Sequence, residues 1–157
     1  MGTVPLSRAV ALSEQLVQVH QGLRERLASL RADATAVPDD LLSHCLGFCA
    51  AVHTHHTGED QELFPALRAA APELAPVIGK LEEDHVLVAG ILGQLRDLLA
   101  ARPAADPAAL RRELDGLTAI LESHFRFEER RLAAALDTLE PENQFPAVFA
   151  PDLHFPT

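Results

Sequence analysis

Two stretches of the chain place a histidine four residues before a glutamate, a spacing that suits metal binding. They are His55-x-x-x-Glu59 and His124-x-x-x-Glu128. Residues four apart in a helix lie on one face, so an imidazole nitrogen and a carboxylate oxygen can reach the same ion. One such pair is common on helix surfaces. Its repetition, with leucines at matching offsets, favours an interior metal site instead.

Other histidines fall on predicted helix faces that can be calculated from a rotation of about 100° per residue. His20 and His85 each lie on the apolar stripe of their own segment. His56 lies beside the stripe of its segment, on the other side of the glutamate from His55. His53 falls toward the flank and His44 near the opposite margin, so neither is a candidate ligand.

Buried imidazoles and carboxylates are costly unless partners satisfy them. The inward-facing ones lie near the middle of their helices, and mid-helix positions meet at one level in an antiparallel bundle. Imidazole with carboxylate, and without thiolate, suits iron, manganese or zinc, and two glutamates can bridge a pair of ions. We therefore predict a dinuclear site at which four imidazoles and two carboxylates converge, with these candidate ligands: His20, His55, Glu59, His85, His124 and Glu128. An apolar shell of Leu16, Phe48, Val52, Leu81 and Leu121 would surround it.

The elements that must position these residues are helices. Apolar residues recur three and four apart, which predicts an all-α fold. Prolines and aspartates divide the chain into four helices over residues 5–31, 39–70, 72–101 and 108–139, the second loosened near Gly58 and Pro65. Short connections favour an antiparallel up-down four-helix bundle, a domain over residues 1–139. The repeated motif predicts that the bundle consists of two similar helical hairpins related by a pseudo-twofold axis.

Residues 140–157 form a separate, proline-rich and non-helical tail. Pro141, Pro146, Pro151 and Pro156 exclude a continuous helix, yet the phenylalanines between them are too apolar for a solvated segment. The tail is expected to pack on the bundle or on a partner, which includes a homodimer formed through the tail.

Composition excludes several classes of function. A formal net charge of −10 argues against nucleic-acid binding, which needs a basic surface. Neither a signal peptide nor an apolar run long enough for a membrane span is evident. Cys45 and Cys49 fit reduced core thiols and no disulfide framework. These features together favour the cytoplasm.

The chain resembles the hemerythrin-like (HHE cation-binding) proteins over residues 10–137. The matching elements are His20, His55-x-x-x-Glu59 with Leu63-Phe64-Pro65, Glu83-Asp84-His85, and His124-x-x-x-Glu128-Glu129. The resemblance implies an oxo- or hydroxo-bridged diiron centre: two iron ions bridged by Glu59 and Glu128, one bound by His20 and His55 and the other by His85 and His124. A ferritin-like site built on Glu82 and His85 ranks second, because a second Glu-x-x-His is missing from the fourth helix.

Two departures from the family bear on function. Oxygen-carrying members have a second histidine one turn before the third-helix ligand, where this chain has Leu81; His56 is the predicted replacement. Some members use a tyrosine near the metals, and this chain has none. We expect a non-heme diiron protein that binds or turns over O2, NO or H2O2, with peroxidase-like or catalase-like activity as its enzymatic form. The alternatives are a non-catalytic iron or oxygen sensor acting through a partner protein and, third, a plain helical interaction module.

Overall fold

Helices account for nearly all of the part of the chain that the computed structural model describes, residues 11–33, 40–100, 107–139 and 145–149. The predicted all-α class is confirmed, since these residues contain no strand. The elements in chain order are α1 (Leu12–Asp33), α2 (Asp40–Gly58), a π-helical turn (Glu59–Leu63), α3 (Phe64–Ala70), a 3₁₀ turn (Pro72–Leu74), α4 (Ala75–Ala100), α5 (Pro107–Leu136) and α6 (Pro146–Phe149).

The long helices form a four-membered ring. Helix α1 packs against α2 and α5, and α4 packs against the same two helices. One core cluster joins the start of α1, the end of the second helical segment, the start of α4 and the end of α5, through Leu12, Leu67, Ile78 and Leu136. Successive segments therefore run in opposite directions, which confirms the antiparallel up-down bundle. No helix in the described part is long and apolar enough to cross a membrane.

The observed helix boundaries differ only slightly from those predicted from the prolines and aspartates of the sequence. The predicted third helix begins at Pro72 as a 3₁₀ turn before α4. The predicted fourth helix stops at Leu136 and continues to Leu139 as turns, with the amide of Leu139 donating to the carbonyl of Leu136. The predicted start of the first helix and the breaks near Pro38 and Pro103 lie outside the described residues.

The second predicted helix contains a π-helical turn at Glu59–Leu63, close to the loosening expected near Gly58 and Pro65. The amide of Phe64 donates to the carbonyl of Glu59, five residues earlier. Proline has no amide hydrogen, and its ring clashes with the carbonyl four residues back, so a wider turn before Pro65 relieves both problems. Such turns are frequent at functional sites, and this one begins at a candidate ligand.

The apolar interior consists of two clusters, and the candidate ligands form a polar layer between them. One cluster includes Leu23, Val52, Val88 and Leu121, and the other includes Leu16, Leu63, Leu81 and Leu132. On every long helical segment the candidate ligands fall between a member of each cluster. The mid-helix positions thus meet at a common level, as the antiparallel arrangement predicts.

The described part of the tail packs on its own bundle. Phe145 and Val148 are buried in the second cluster, and α6 contacts α1 and α2. Pro146–Phe149 forms one helical turn, which departs from the non-helical tail indicated by the proline spacing. The reason is that Pro146 takes the first helical position, where its fixed φ fits. Residues 140–144 and 150–157, and with them the expected homodimer contact, lie outside the described residues.

Candidate metal centre

The seven candidate ligands are all buried at the level between the two core clusters. Their relative exposures run from 0% to 6%, and they are His20, His55, His56, Glu59, His85, His124 and Glu128. Fully exposed imidazoles and carboxylates can rely on water, whereas buried ones need partners inside the protein. The partners available to these side chains therefore indicate what the layer can hold.

The ligand atoms form two groups. One group consists of His56, Glu59, His85 and His124, and the other of His20, His55 and Glu128. Within each group the potential ligand atoms lie within 4.8 Å of one another. We call them the four-residue group and the three-residue group. Each has the size and the chemistry of a site for one metal ion.

Both carboxylates lie between the two groups. Glu59 Oε1 is 3.4 Å from Nε2 of His55 and 3.4 Å from Nε2 of His85. Glu128 Oε2 is 3.3 Å from Nε2 of His124 and 3.8 Å from Nε2 of His20. Each glutamate is thus near one imidazole from each group, which is the position a carboxylate needs in order to contact two ions at once.

Four rings are held by hydrogen bonds at the nitrogen that faces away from the carboxylates. Nδ1 of His20 donates to Glu129 at 2.8 Å, and Nδ1 of His85 donates to Asp60 at 2.7 Å. The other two donors are Nδ1 of His124, to Asp84 at 3.1 Å, and Nδ1 of His55, to the carbonyl of Val148 at 2.9 Å. Carboxylates and carbonyls only accept, so Nδ1 carries the hydrogen in each neutral ring. The inward Nε2 atoms then present lone pairs, the form that binds metals.

The inward-facing nitrogen and oxygen atoms lack hydrogen-bond partners, and a bound cation would satisfy them. Within the described part of the chain, seven buried side-chain atoms have no hydrogen bond: Nε2 of His56, His85 and His124, and both carboxylate oxygens of Glu59 and Glu128. In addition, Nε2 of His20 and Nε2 of His55 lie 3.2 Å apart. With both Nδ1 atoms occupied as donors, that contact sets two lone pairs against each other. The donor set fits metal ions held by imidazole and carboxylate.

The protonation tendencies agree with this arrangement. Burial lowers the pKa of His20 and of His56 well below the usual value, and neighbouring imidazoles lower both further. Burial also lowers the pKa of His85, but the hydrogen bond to Asp60 and the nearby carboxylate of Glu59 outweigh it and raise that pKa to about 9 when no cation is bound. The acidic groups around His85 therefore favour positive charge there, as they would favour a bound cation.

The two hairpins are related by the predicted repeat, but one position that has a histidine in the first hairpin has a phenylalanine in the second. The stacking of His56 on His85, with centroids 3.8 Å apart, is matched by the stacking of Phe125 on His20 at 4.0 Å. Phe125 follows His124 as His56 follows His55. One group therefore offers three imidazoles and the other two.

The remaining histidines and the second-ranked ligand lie elsewhere. Glu82 forms an ion pair with Arg68 at the surface and is in neither group, so the ferritin-like arrangement is not observed. His53 is exposed and His44 is half-buried, both apart from the layer, while His154 lies outside the described residues.

Three acidic side chains that accept hydrogen bonds from Nδ1 atoms are not among the residues predicted from the sequence. Asp60, Asp84 and Glu129 each adjoin a candidate ligand in the chain. That adjacency is the signal that could have identified them, because ligating histidines usually donate their other ring hydrogen to a carboxylate or carbonyl. Arg24 extends one of these contacts, since it pairs with Glu129 at 3.0 Å and with Glu122 at 2.9 Å.

Comparison with known proteins gives one match. The sequence model of one family, described as the hemerythrin HHE cation binding domain, matches residues 11–136. No curated protein and no solved structure matches the chain significantly. The matched range includes every candidate ligand and every long helix of the bundle.

Proposed function

Because the chain belongs to the hemerythrin HHE cation-binding domain family, we propose that it holds two iron ions inside the bundle and there binds or turns over dioxygen, nitric oxide or hydrogen peroxide. The observation that carries this proposal is the position of Glu59 and Glu128 between two groups of imidazoles. A single ion would need only one of those groups. Two carboxylates that each face both groups suit a pair of ions.

Under this proposal His56, His85 and His124 would hold one iron, and His20 and His55 would hold the other. Glu59 and Glu128 would be available to both. Bound iron would supply a redox-active centre with room for a small exogenous ligand. Because Phe125 occupies the position that matches His56, the group of His20 and His55 offers one imidazole fewer. That group would leave more room for a small ligand.

The surrounding residues orient the ligands and exclude water. The Nδ1 acceptors keep four rings in one tautomer and one orientation, which raises ligand basicity and affinity. The apolar residues predicted to form the shell are all buried: Leu16, Phe48, Val52, Leu81 and Leu121. They lie in the two core clusters on either side of the polar layer and keep bulk water away from those two sides of it.

The experiment that tests this function uses the full chain loaded with iron. We expect absorption changes on addition of nitric oxide or dioxygen, or hydrogen peroxide consumption well above that of the same concentration of free iron. The Glu128→Ala variant, treated identically, should lose these responses because it loses iron. Iron-loaded protein that responds to none of the three molecules would contradict the proposal.

A second function is favoured by one specific contact. The carbonyl of Val148 in the tail accepts a hydrogen bond from His55, so the tail and the metal centre are directly linked. A non-catalytic iron sensor would use this link, with loss of iron releasing the tail to a partner. The chain has no tryptophan, so Phe149→Trp would report tail docking by fluorescence. Emission that is identical with and without iron would contradict a sensor of this kind.

A further inference from the structure

A groove runs between α2 and α4 on the outside of the bundle and ends at the metal centre. Its cavity has a volume of about 450 Å³ and its inner wall includes His56 and His85. Exposed apolar side chains, Leu46 on α2 and Val86 on α4, stand at its rim. Sites for small organic ligands have volumes of roughly 300–1,000 Å³. The groove is therefore larger than a diatomic molecule or a peroxide requires.

The walls of the groove are mainly apolar. Its lining includes Leu46, Val52, Val86, Val88 and Leu92. Val86 is 75% exposed and Leu46 is 44% exposed. Scattered exposed apolar residues are normal on a protein surface, whereas two that flank one cavity indicate a surface that an apolar molecule can cover.

The charged groups of the groove lie at opposite ends. Asp60 is at the end near the metal centre, where it accepts the hydrogen bond of His85. Arg96 follows His85 by eleven residues on α4, which is about 16 Å along a helix. Arg96 lines the groove together with Cys49. Among the described residues Arg96 has no ion-pair partner.

We propose that this groove binds an elongated apolar organic anion, with the charged group at Arg96 and the apolar body lying along α2 and α4 toward His56. The separation of Arg96 from Asp60 lets the anion meet a cation without facing the carboxylate. The apolar body covers the exposed side chains of Leu46 and Val86. This site is additional to the small-ligand site at the metals, and its occupancy does not require a reaction there.

Decanoate is the probe that tests this proposal, because it combines one carboxylate with an unbranched apolar chain. Calorimetric titration of the full iron-loaded chain should give one decanoate per chain. Arg96→Gln should weaken binding at least tenfold, and Ala89→Phe, which fills the groove from α4, should abolish it. The matched controls are Arg112→Gln and Ala119→Phe, exposed positions on α5 outside the groove, which should bind as the unaltered chain does.

Several results would overturn the proposal. They are an absence of decanoate binding, equal affinity of Arg96→Gln, and equally tight binding of decyltrimethylammonium, which carries the opposite charge. A dimer in sedimentation that Ala89→Phe dissociates, together with no decanoate binding, would instead assign the groove to a second copy of the chain. Arg96 is exposed, so its variant decides the question even if Ala89→Phe does not fold.

Discussion

The backbone carbonyl of Val148 lies 2.9 Å from Nδ1 of His55, so the C-terminal segment supplies a hydrogen-bond acceptor to the metal centre. In the other hairpin the same role belongs to a side chain, because Asp84 accepts from His124 at 3.1 Å. The repeat places Val19 where Asp84 would be expected, and a valine side chain cannot accept. The tail therefore completes a site that the first hairpin leaves without an acceptor.

Two glycines provide a matched test of tail docking. A Cβ at Gly58 would lie 2.9 Å from Cβ of Ala147, whereas a Cβ at Gly116 would meet nothing within 4 Å. Gly116→Ala should stabilise the fold by about 1 kcal/mol through helix propensity. Gly58→Ala should destabilise it, because α6 must shift, and should speed iron loss to a chelator. Urea unfolding measures the first effect, and equal stabilisation by both changes would contradict the docking described.

Loss of an Nδ1 acceptor should weaken iron binding without removing a ligand. Asp84→Ala leaves the His124 ring without its hydrogen-bond partner. Removal of such a partner typically costs about 10- to 100-fold in metal affinity. Competition with a chelator measures this change. The control is Asp115→Ala, since Asp115 pairs with Arg31 at the surface and its loss should leave the affinity unaltered. An unchanged iron affinity in Asp84→Ala would show that Asp84 does not orient His124.

The asymmetry of the two groups predicts the behaviour of His56→Phe. Phe125 stacks on His20 much as His56 stacks on His85, so a phenyl ring fits the position and the fold should persist. One of the two irons should then exchange with a chelator faster than in the unaltered chain, while the other exchanges at its original rate. Exchange rates for both irons that match those of the unaltered chain would show that His56 is not a ligand.

The inward positions of the candidate ligands could be predicted because helix geometry alone fixes them. His20 and His85 fall on apolar stripes, and the structure places both in the polar layer. The acceptors of their Nδ1 hydrogens were not predictable in the same way. Asp60 and Glu129 come from the opposite hairpin in each case, so their role depends on packing between segments rather than on spacing within one.

The π-helical turn and the contact between the tail and His55 could not be predicted from the sequence pattern either. Pro65 signals a disturbance in the second helix, but a kink, a break or a widened turn would all relieve it. The contact between Val148 and His55 uses a backbone carbonyl, and every residue has one. A sequence pattern therefore cannot distinguish Val148 from its neighbours as an acceptor.

The two cysteines should be protected from thiol reagents in the folded state. Both are free and buried, and burial raises the pKa of Cys45 from 9.0 to about 12. A disulfide reagent at pH 8 should label the native protein slowly and label both thiols at once in denaturant. Stability should also fall as pH rises from 9.0 toward 12, since the unfolded thiol releases its proton first. Complete labelling of native protein on mixing would contradict this burial.

The number of iron ions per chain tests the central claim most directly. Metal analysis of protein purified from iron-supplied cells should give close to two irons per chain, since both groups of ligands would be filled. Glu59→Ala and Glu128→Ala should lose most of this iron, because each glutamate faces both groups. His44→Ala, which alters a histidine outside the polar layer, should retain it. Full retention of iron by the two glutamate variants, or a metal-free chain of undiminished stability, would contradict the dinuclear centre.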